Sequence, residues 1–172
     1  MRKLISIYIL LIITLFSCTN KTESGSEFNF FAEQFEDIKV LRYQIPGFDQ
    51  LSLQQKKLVY FLTEAGLAGR DIMYDQNYRH NLSIRRALEK VYVNYKGNRD
   101  TEDWYNFETY LKRIWFANGI HHHYSNDKFD PNFSSDYLSR LLSETGSELN
   151  SEAFEVIFND IDSKKVNRDA SK

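Results

Sequence analysis

The chain has 172 residues, a formal net charge of −2 and a single cysteine. That length supports one domain able to bury roughly 70% of its unfolded surface. The near-neutral charge argues against nucleic acid as a partner, because phosphate binding calls for a basic face, and one cysteine cannot form an internal disulfide.

Residues 1–18 read MRKLISIYILLIITLFSC. Arg2 and Lys3 open the segment, and the apolar stretch from Leu4 to Phe16 is broken only by Ser6 and Thr14. This stretch is too short for a transmembrane helix, which needs about 20 apolar residues, and it fits the apolar core of a secretory signal. Leu15-Phe16-Ser17-Cys18 resembles a bacterial lipoprotein box, with Phe16 larger than is usual there. The resemblance makes Cys18 the lipid-attachment residue and the first residue of the mature chain. An ordinary signal peptide cut nearby and a retained anchor helix are the alternatives. Removal of 1–18 leaves 154 residues with a charge near −4, since Arg2 and Lys3 go with it. Residues 19–27, TNKTESGSE, are small and polar and read as a flexible tether. The expectation is an exported, lipid-anchored protein of the bacterial envelope, facing the periplasm or the surface.

Residues 28–172 read as a mainly α fold with few short strands. Phe28, Phe31, Phe35 and Ile38 recur at helical spacing and predict a short amphipathic helix. Leu41, Tyr43 and Ile45 alternate and predict an extended segment that Pro46-Gly47 ends. Ser52 with Gln55 forms a capping-box pattern. The helix it opens is expected to run from about Leu53 to Tyr74 through Leu58, Leu62, Ala65 and Ile72, with Gly66 and Gly69 as places for close packing or a kink. Asn81 is the expected cap of a third helix, buried along Ile84, Leu88, Val91 and Tyr95 and stopped by Lys96-Gly97. Thr101 opens a fourth, with Glu102 and Asp103 at its positive end. Its apolar face is Trp104, Phe107, Leu111, Ile114 and Trp115, and Glu108 and Lys112 make an i,i+4 pair. Asn118-Gly119 ends it, with Gly119 expected in the left-handed conformation. Ser134 or Ser135 starts a fifth helix through Leu138, Leu141 and Leu142, and a sixth lies near Ser151–Asn159 beyond Gly146. The polar last ten residues read as a tail or as a cut through a continuing chain.

The candidate chemistry is sparse. Three of the four histidines stand together at His121, His122 and His123. A zinc site needs three or four converging ligands. On a helix, neighbouring residues fan out by about 100°; on a strand, His121 and His123 share a face while His122 points away. The fourth, His80, lies in a polar, loop-like stretch. The spacing therefore predicts a polar segment lining a cleft, or a hydrogen-bonded loop, in preference to a metal centre. The sequence contains no His-Glu-x-x-His, Cys-x-x-Cys, Gly-x-Gly-x-x-Gly, phosphate loop or Gly-x-Ser-x-Gly. Asp71 and Asp75, four apart, could work as an acid/base pair, but Arg70 and Arg79 beside them favour a structural ion-pair network. Arg85, Arg86 and Lys90 form a basic strip around Glu89, which reads as a solvated helix face. The 13 Phe and 11 Tyr point to core packing, with a Tyr-rich cleft for peptide or sugar as the sharper alternative.

Several segments taken in order resemble one enzyme family. They are Leu41-Arg42-Tyr43-Gln44-Ile45-Pro46-Gly47-Phe48, Gly69-Arg70-Asp71-Ile72, Asp75-Gln76-Asn77, Asn94-Tyr95-Lys96-Gly97, Tyr110 through Phe116, Asn118 through Tyr124, and Lys128-Phe129 with Pro131. Together they look like the N-terminal part of a bacterial dipeptidyl peptidase III, over about residues 33–168. The resemblance implies the helical N-terminal portion of a two-lobed α+β zinc metallopeptidase that releases dipeptides from the N-terminus of short peptides. It implies that Asn118, Gly119 and Tyr124 lie near the peptide cleft. It implies zinc in the complete enzyme, held by a His-Glu-x-x-Gly-His motif absent from these 172 residues, so none bound by this chain and no catalysis by it alone. The alternative is a non-catalytic helical envelope lipoprotein that binds peptides or a protein partner. A third reading, a small metal-binding lipoprotein, uses the histidine run.

Overall fold

The computed structural model describes residues 28–159. The expected signal segment, the tether, Cys18 and the polar tail from residue 160 onward lie outside the described residues. The chain divides into two units: residues 28–33 with 40–43, and residues 34–39 with 44–159. Mainly helical structure with two short antiparallel strands is what the described residues contain.

The expected first helix is instead a hairpin. Strand β1 is Phe31–Phe35 and β2 is Ile38–Leu41. The apolar positions 31, 35 and 38 satisfy a helical repeat, but 31 and 35 also share one face of a strand. The two residues between the strands decide the outcome, with Glu36 at φ 49°. A non-glycine residue there carries no turn signal in sequence. Within the first unit the open end of the hairpin is closed by the Arg42 amide donating to the Phe30 carbonyl. In the second unit the tip is fixed by Arg113, whose guanidinium reaches Asp37 at 3.1 Å. Asp37's own backbone N–H, and then Arg113, hold its carboxyl below the ordinary carboxylate range.

Gly47, at φ 83°, leads into a 3-10 turn at Phe48–Gln50. Ser52 then caps helix α1, Leu53–Ala68, with both bonds of the capping box formed: Gln55 N to Ser52 Oγ at 3.3 Å and Ser52 N to Gln55 Oε1 at 2.9 Å. The helix does not run on to Tyr74. It breaks at Gly69, and α2 spans Arg70–Asn77. Leu58, Leu62 and Ile72, through which the helix is expected to run, are 59%, 63% and 59% exposed. None of the residues of α1 is buried.

The core lies C-terminal to this. Helix α3, Asn81–Asn94, packs against α2, α4 (Glu102–Ala117), α5 (Ser135–Thr145) and α6 (Ser151–Phe158). The expected stripes meet there. Ile84, Leu88 and Val91 from α3, Phe107, Leu111 and Ile114 from α4, Leu138 and Leu141 from α5 and Ile157 from α6 are all fully buried. Each such side chain contributes about 1.5–3 kcal/mol of transfer free energy. Thr101 and Ser134 cap α4 and α5 as their sequences require, and Asn150 caps α6. Arg99 closes the far end of α3. It donates to the Tyr92 and Tyr95 carbonyls at 2.7 and 3.0 Å and lies over the Trp104 ring, which in turn stacks on Tyr95.

Candidate functional site

The C-terminus of α4 builds the stretch that the sequence singles out. Asn118, not Gly119, takes the left-handed conformation, at φ 54° and ψ 43°. Asparagine tolerates this region because its short side chain bonds locally. Gly119 follows at φ 152°. Its reason is close approach: a Cβ there would stand 2.1 Å from Asn81 Nδ2 and 2.5 Å from Asn81 Cγ.

Asn81 is the organising residue, and its role differs from the expected cap. It is the first residue of α3, and the preceding His80 makes no side-chain cap bond. The Asn81 side chain, 1% exposed, reaches across to α4. Its Oδ1 accepts from the Ile120 amide at 3.1 Å, and its Nδ2 donates to the Asn118 carbonyl at 3.4 Å. Asn77 Nδ2, from the end of α2, donates to the same carbonyl at 3.3 Å. A long-range partner has won the amide from the local one.

From Ile120 the chain makes a short arch. Phe129 N donates to the Ile120 carbonyl at 2.9 Å, His122 N donates to the Asp127 carbonyl at 2.7 Å, and His121 and Lys128 form an antiparallel bridge. Lys128 Nζ donates to the carbonyls of Val156 and Asn159 and so closes the end of α6. Along the extended path His121 is buried, while the His122 and His123 rings lie 4.4 Å apart. His121 is 1% exposed, edge-on to Tyr78 at 5.0 Å between ring centres. His122 and His123 are half-buried, and His123 packs edge-on to Phe116. His80, expected in a polar, loop-like stretch, is buried and edge-on to Tyr78 at 5.3 Å between ring centres. Among the described residues no three His, Cys, Asp or Glu side chains are grouped to hold a metal ion.

Tyr124 stands at the crest of the arch, 89% exposed. It edges a cleft of about 320 Å³ lined also by Arg113, His122, Ser125, Asp127 and Phe129. The cleft contains a serine, a histidine and an aspartate, yet not in the order that activates a nucleophile. Ser125 Oγ donates to Asp127 Oδ2 at 2.8 Å, whereas a nucleophilic hydroxyl must hand its proton to the imidazole. His122 Nδ1 accepts from the Tyr124 amide at 3.3 Å and so serves the arch. Of the three residues expected near peptide, Asn118 and Gly119 lie together at one foot of the arch, Gly119 buried, while Tyr124 alone reaches the cleft.

Of the carboxylates of α2, Asp71 joins a structural ion-pair network, with partners other than those expected. Asp71 pairs with Arg85 and Arg86, each at 2.7 Å, rather than with Arg70 or Arg79. Hydrogen bonds from Arg86 and then Arg85 hold the Asp71 carboxyl below its ordinary range. Arg85 also reaches Glu89 at 3.4 Å and lies over the Tyr74 ring, and Glu89 accepts from Trp115 Nε1 at 2.8 Å. These groups line a second cavity of about 480 Å³ beside Leu67 and Arg70. With Asp71 taken up by two arginines, the Asp71/Asp75 pair is not arranged for acid/base work. Sequence reading missed Asn77, Asn81 and Arg113 as organisers, since each acts on a residue more than 35 positions away.

No protein-family model matches the chain, and no curated protein matches it.

Proposed function

We propose that this chain is the N-terminal part of a lipid-anchored, zinc-dependent dipeptidyl peptidase of the bacterial envelope, acting on short peptides. One observation carries the reading beyond the order of the segments. Pieces of the resemblance that are distant in sequence adjoin in space: Asn77 meets Asn118 at 3.3 Å. The arch and its exposed Tyr124 are then the chain's contribution to peptide binding, with the aromatic face offered to an extended substrate and Arg113, Lys128 and Asp127 lending polarity to the cleft floor. Zinc, in the complete enzyme, would polarise the scissile carbonyl and activate water. The histidines here do not fit that metal, since His121 is buried edge-on to Tyr78 and, among the described residues, no three His, Cys, Asp or Glu side chains are grouped to hold an ion. No step at zinc is assigned to this chain.

The test is genomic and enzymatic. DNA beyond codon 172 is expected to continue to a His-Glu-x-x-Gly-His motif in one frame, and the full product is expected to release dipeptides from a chromogenic substrate in a chelator-sensitive way. A stop with no such motif in any frame over the next several hundred codons refutes the reading. Robust zinc-dependent turnover by these 172 residues alone also refutes it. The surviving alternative is then a non-catalytic helical envelope lipoprotein that binds peptides or a protein partner; the solvent-facing aromatic and aliphatic side chains of α1 favour a partner.

A further inference from the structure

Helix α1 is the least usual element of the molecule. The stretch from Leu58 to Ala68, LVYFLTEAGLA, is apolar on most sides, which is the pattern of a helix enclosed by other structure. Yet Leu53, Leu58, Tyr60, Phe61, Leu62 and Leu67 are each between 52% and 68% exposed. At about 100° per residue Leu53, Tyr60, Phe61 and Leu67 share one side of the helix, while Leu58 and Leu62 lie on the other.

The charges on this helix say what fits it. At 3.6 residues per turn Leu53, Lys57, Tyr60, Phe61 and Glu64 fall on one face. The midpoint of α1 lies between Tyr60 and Phe61. Lys57 and Glu64 are therefore equidistant from the centre, one toward each end, with opposite charge. Among the described residues neither makes an ion pair, whereas Lys56 is already engaged with the Asp49 carbonyl and the Phe48 ring. A face with this symmetry complements itself when turned end for end. An antiparallel copy sets Lys57 against Glu64 at both ends and Tyr60 against Phe61 at the centre. A parallel copy would set like charge against like. Two-fold contacts of this kind, in which each surface meets its own counterpart, are the commonest in homo-oligomers.

We infer that α1 is a homodimer interface, pairing antiparallel with α1 of a second copy through Lys57–Glu64 ion pairs around a Tyr60/Phe61 centre. This goes beyond the peptidase reading and does not depend on it. The test is sedimentation equilibrium on the purified full chain in mild detergent, with K57E, E64K and the double K57E/E64K. The native chain is expected to dimerise in the micromolar range. Each single reversal puts two like-charged pairs at the interface and is expected to weaken association by about tenfold. The double reversal restores opposite charges at both ends and is expected to bring the native affinity back. Both substituted positions are on exposed helix, so far-ultraviolet circular dichroism of each variant should match the native chain. A native chain that stays monomeric, a dimer indifferent to the single reversals, or single losses that the double fails to rescue would each overturn the inference. None of these outcomes alters what the downstream DNA or the dipeptide assay reads.

Discussion

Gly119→Ala tests the join between α3 and α4 directly. The added Cβ would lie 2.1 Å from Asn81 Nδ2, against 3.4 Å at the near edge of ordinary contact, so the amide must retreat by 1.3 Å. Asn81 is 1% exposed and has no open side to retreat into. Its 3.1 Å bond from the Ile120 amide and its 3.4 Å bond to the Asn118 carbonyl are lost together. Leaving a buried amide unpaired costs about 1–3 kcal/mol. Holding alanine at φ 152° adds about 1–3 kcal/mol of backbone strain. The expected loss is about 2–6 kcal/mol, a large share of a domain's stability. Urea unfolding followed by circular dichroism measures it as a fall in midpoint at unchanged slope. A double-mutant cycle sharpens the result. In an Asn81→Ala background the obstruction is gone, so Gly119→Ala should cost only the strain, and the two changes together should cost less than their separate effects added. A loss below about 1 kcal/mol for the single variant, or strict additivity in the cycle, refutes the packing described. Gly66→Ala is the matched control: nothing lies within 4 Å of its added carbon, and mid-helix alanine should stabilise by about 0.5–1 kcal/mol.

Three further outcomes are expected. Asp71, held below its ordinary carboxylate range by Arg86 and Arg85, stabilises the fold at pH values above the ordinary range of a free aspartate; that contribution fades as pH falls through its depressed folded value, so Asp71→Asn should flatten the acid limb of the melting profile below about pH 4. An unchanged acid limb in the variant would rule this out. Tyr110 is fully buried, its hydroxyl has no hydrogen-bond partner among the described residues, and burial followed by the nearby Asp130 charge pushes its ionisation upward. Tyr110→Phe should therefore be neutral or stabilising by up to about 1 kcal/mol in urea, where a loss above that would reveal a bond the hydroxyl makes. Isothermal calorimetry at micromolar zinc should give no stoichiometric binding by this chain, and a one-to-one isotherm abolished by changing His122 and His123 would show that the arch can close on a metal.

How legible the fold was depended on range. Local signals held: Ser52 with Gln55, Thr101 and Ser134 all make the cap bonds their spacing requires, and the stripes at Ile84, Leu88 and Val91 and at Phe107, Leu111 and Ile114 are buried. What failed is what the opposite side of the molecule decides. Phe31 and Phe35 fit either period, and only the pairing across Glu36 makes this stretch a hairpin. Asn81 has the residue type of a cap, but a better partner waits at Ile120. Asn118 and Gly119 were recognisable as a helix stop, whereas which of the two turns left-handed was settled by the space beside Asn81. Leu58 and Leu62 carry a helical apolar period correctly and lack a core to face. The candidate cleft was half legible: Tyr124 could be named from its segment, while Arg113 comes from α4, the helix that precedes the arch.

The arch from Ile120 to Phe129 has one foot bonded to Asn81 and the other braced by Lys128 on the end of α6. Its crest therefore does not have to be organised when something arrives. A phenol ring held out on such a support has only its own two torsions left to freeze, a penalty of about 0.5–1.5 kcal/mol. Whatever touches this protein at Tyr124 meets a ready-made handhold rather than a loop that must first be tamed.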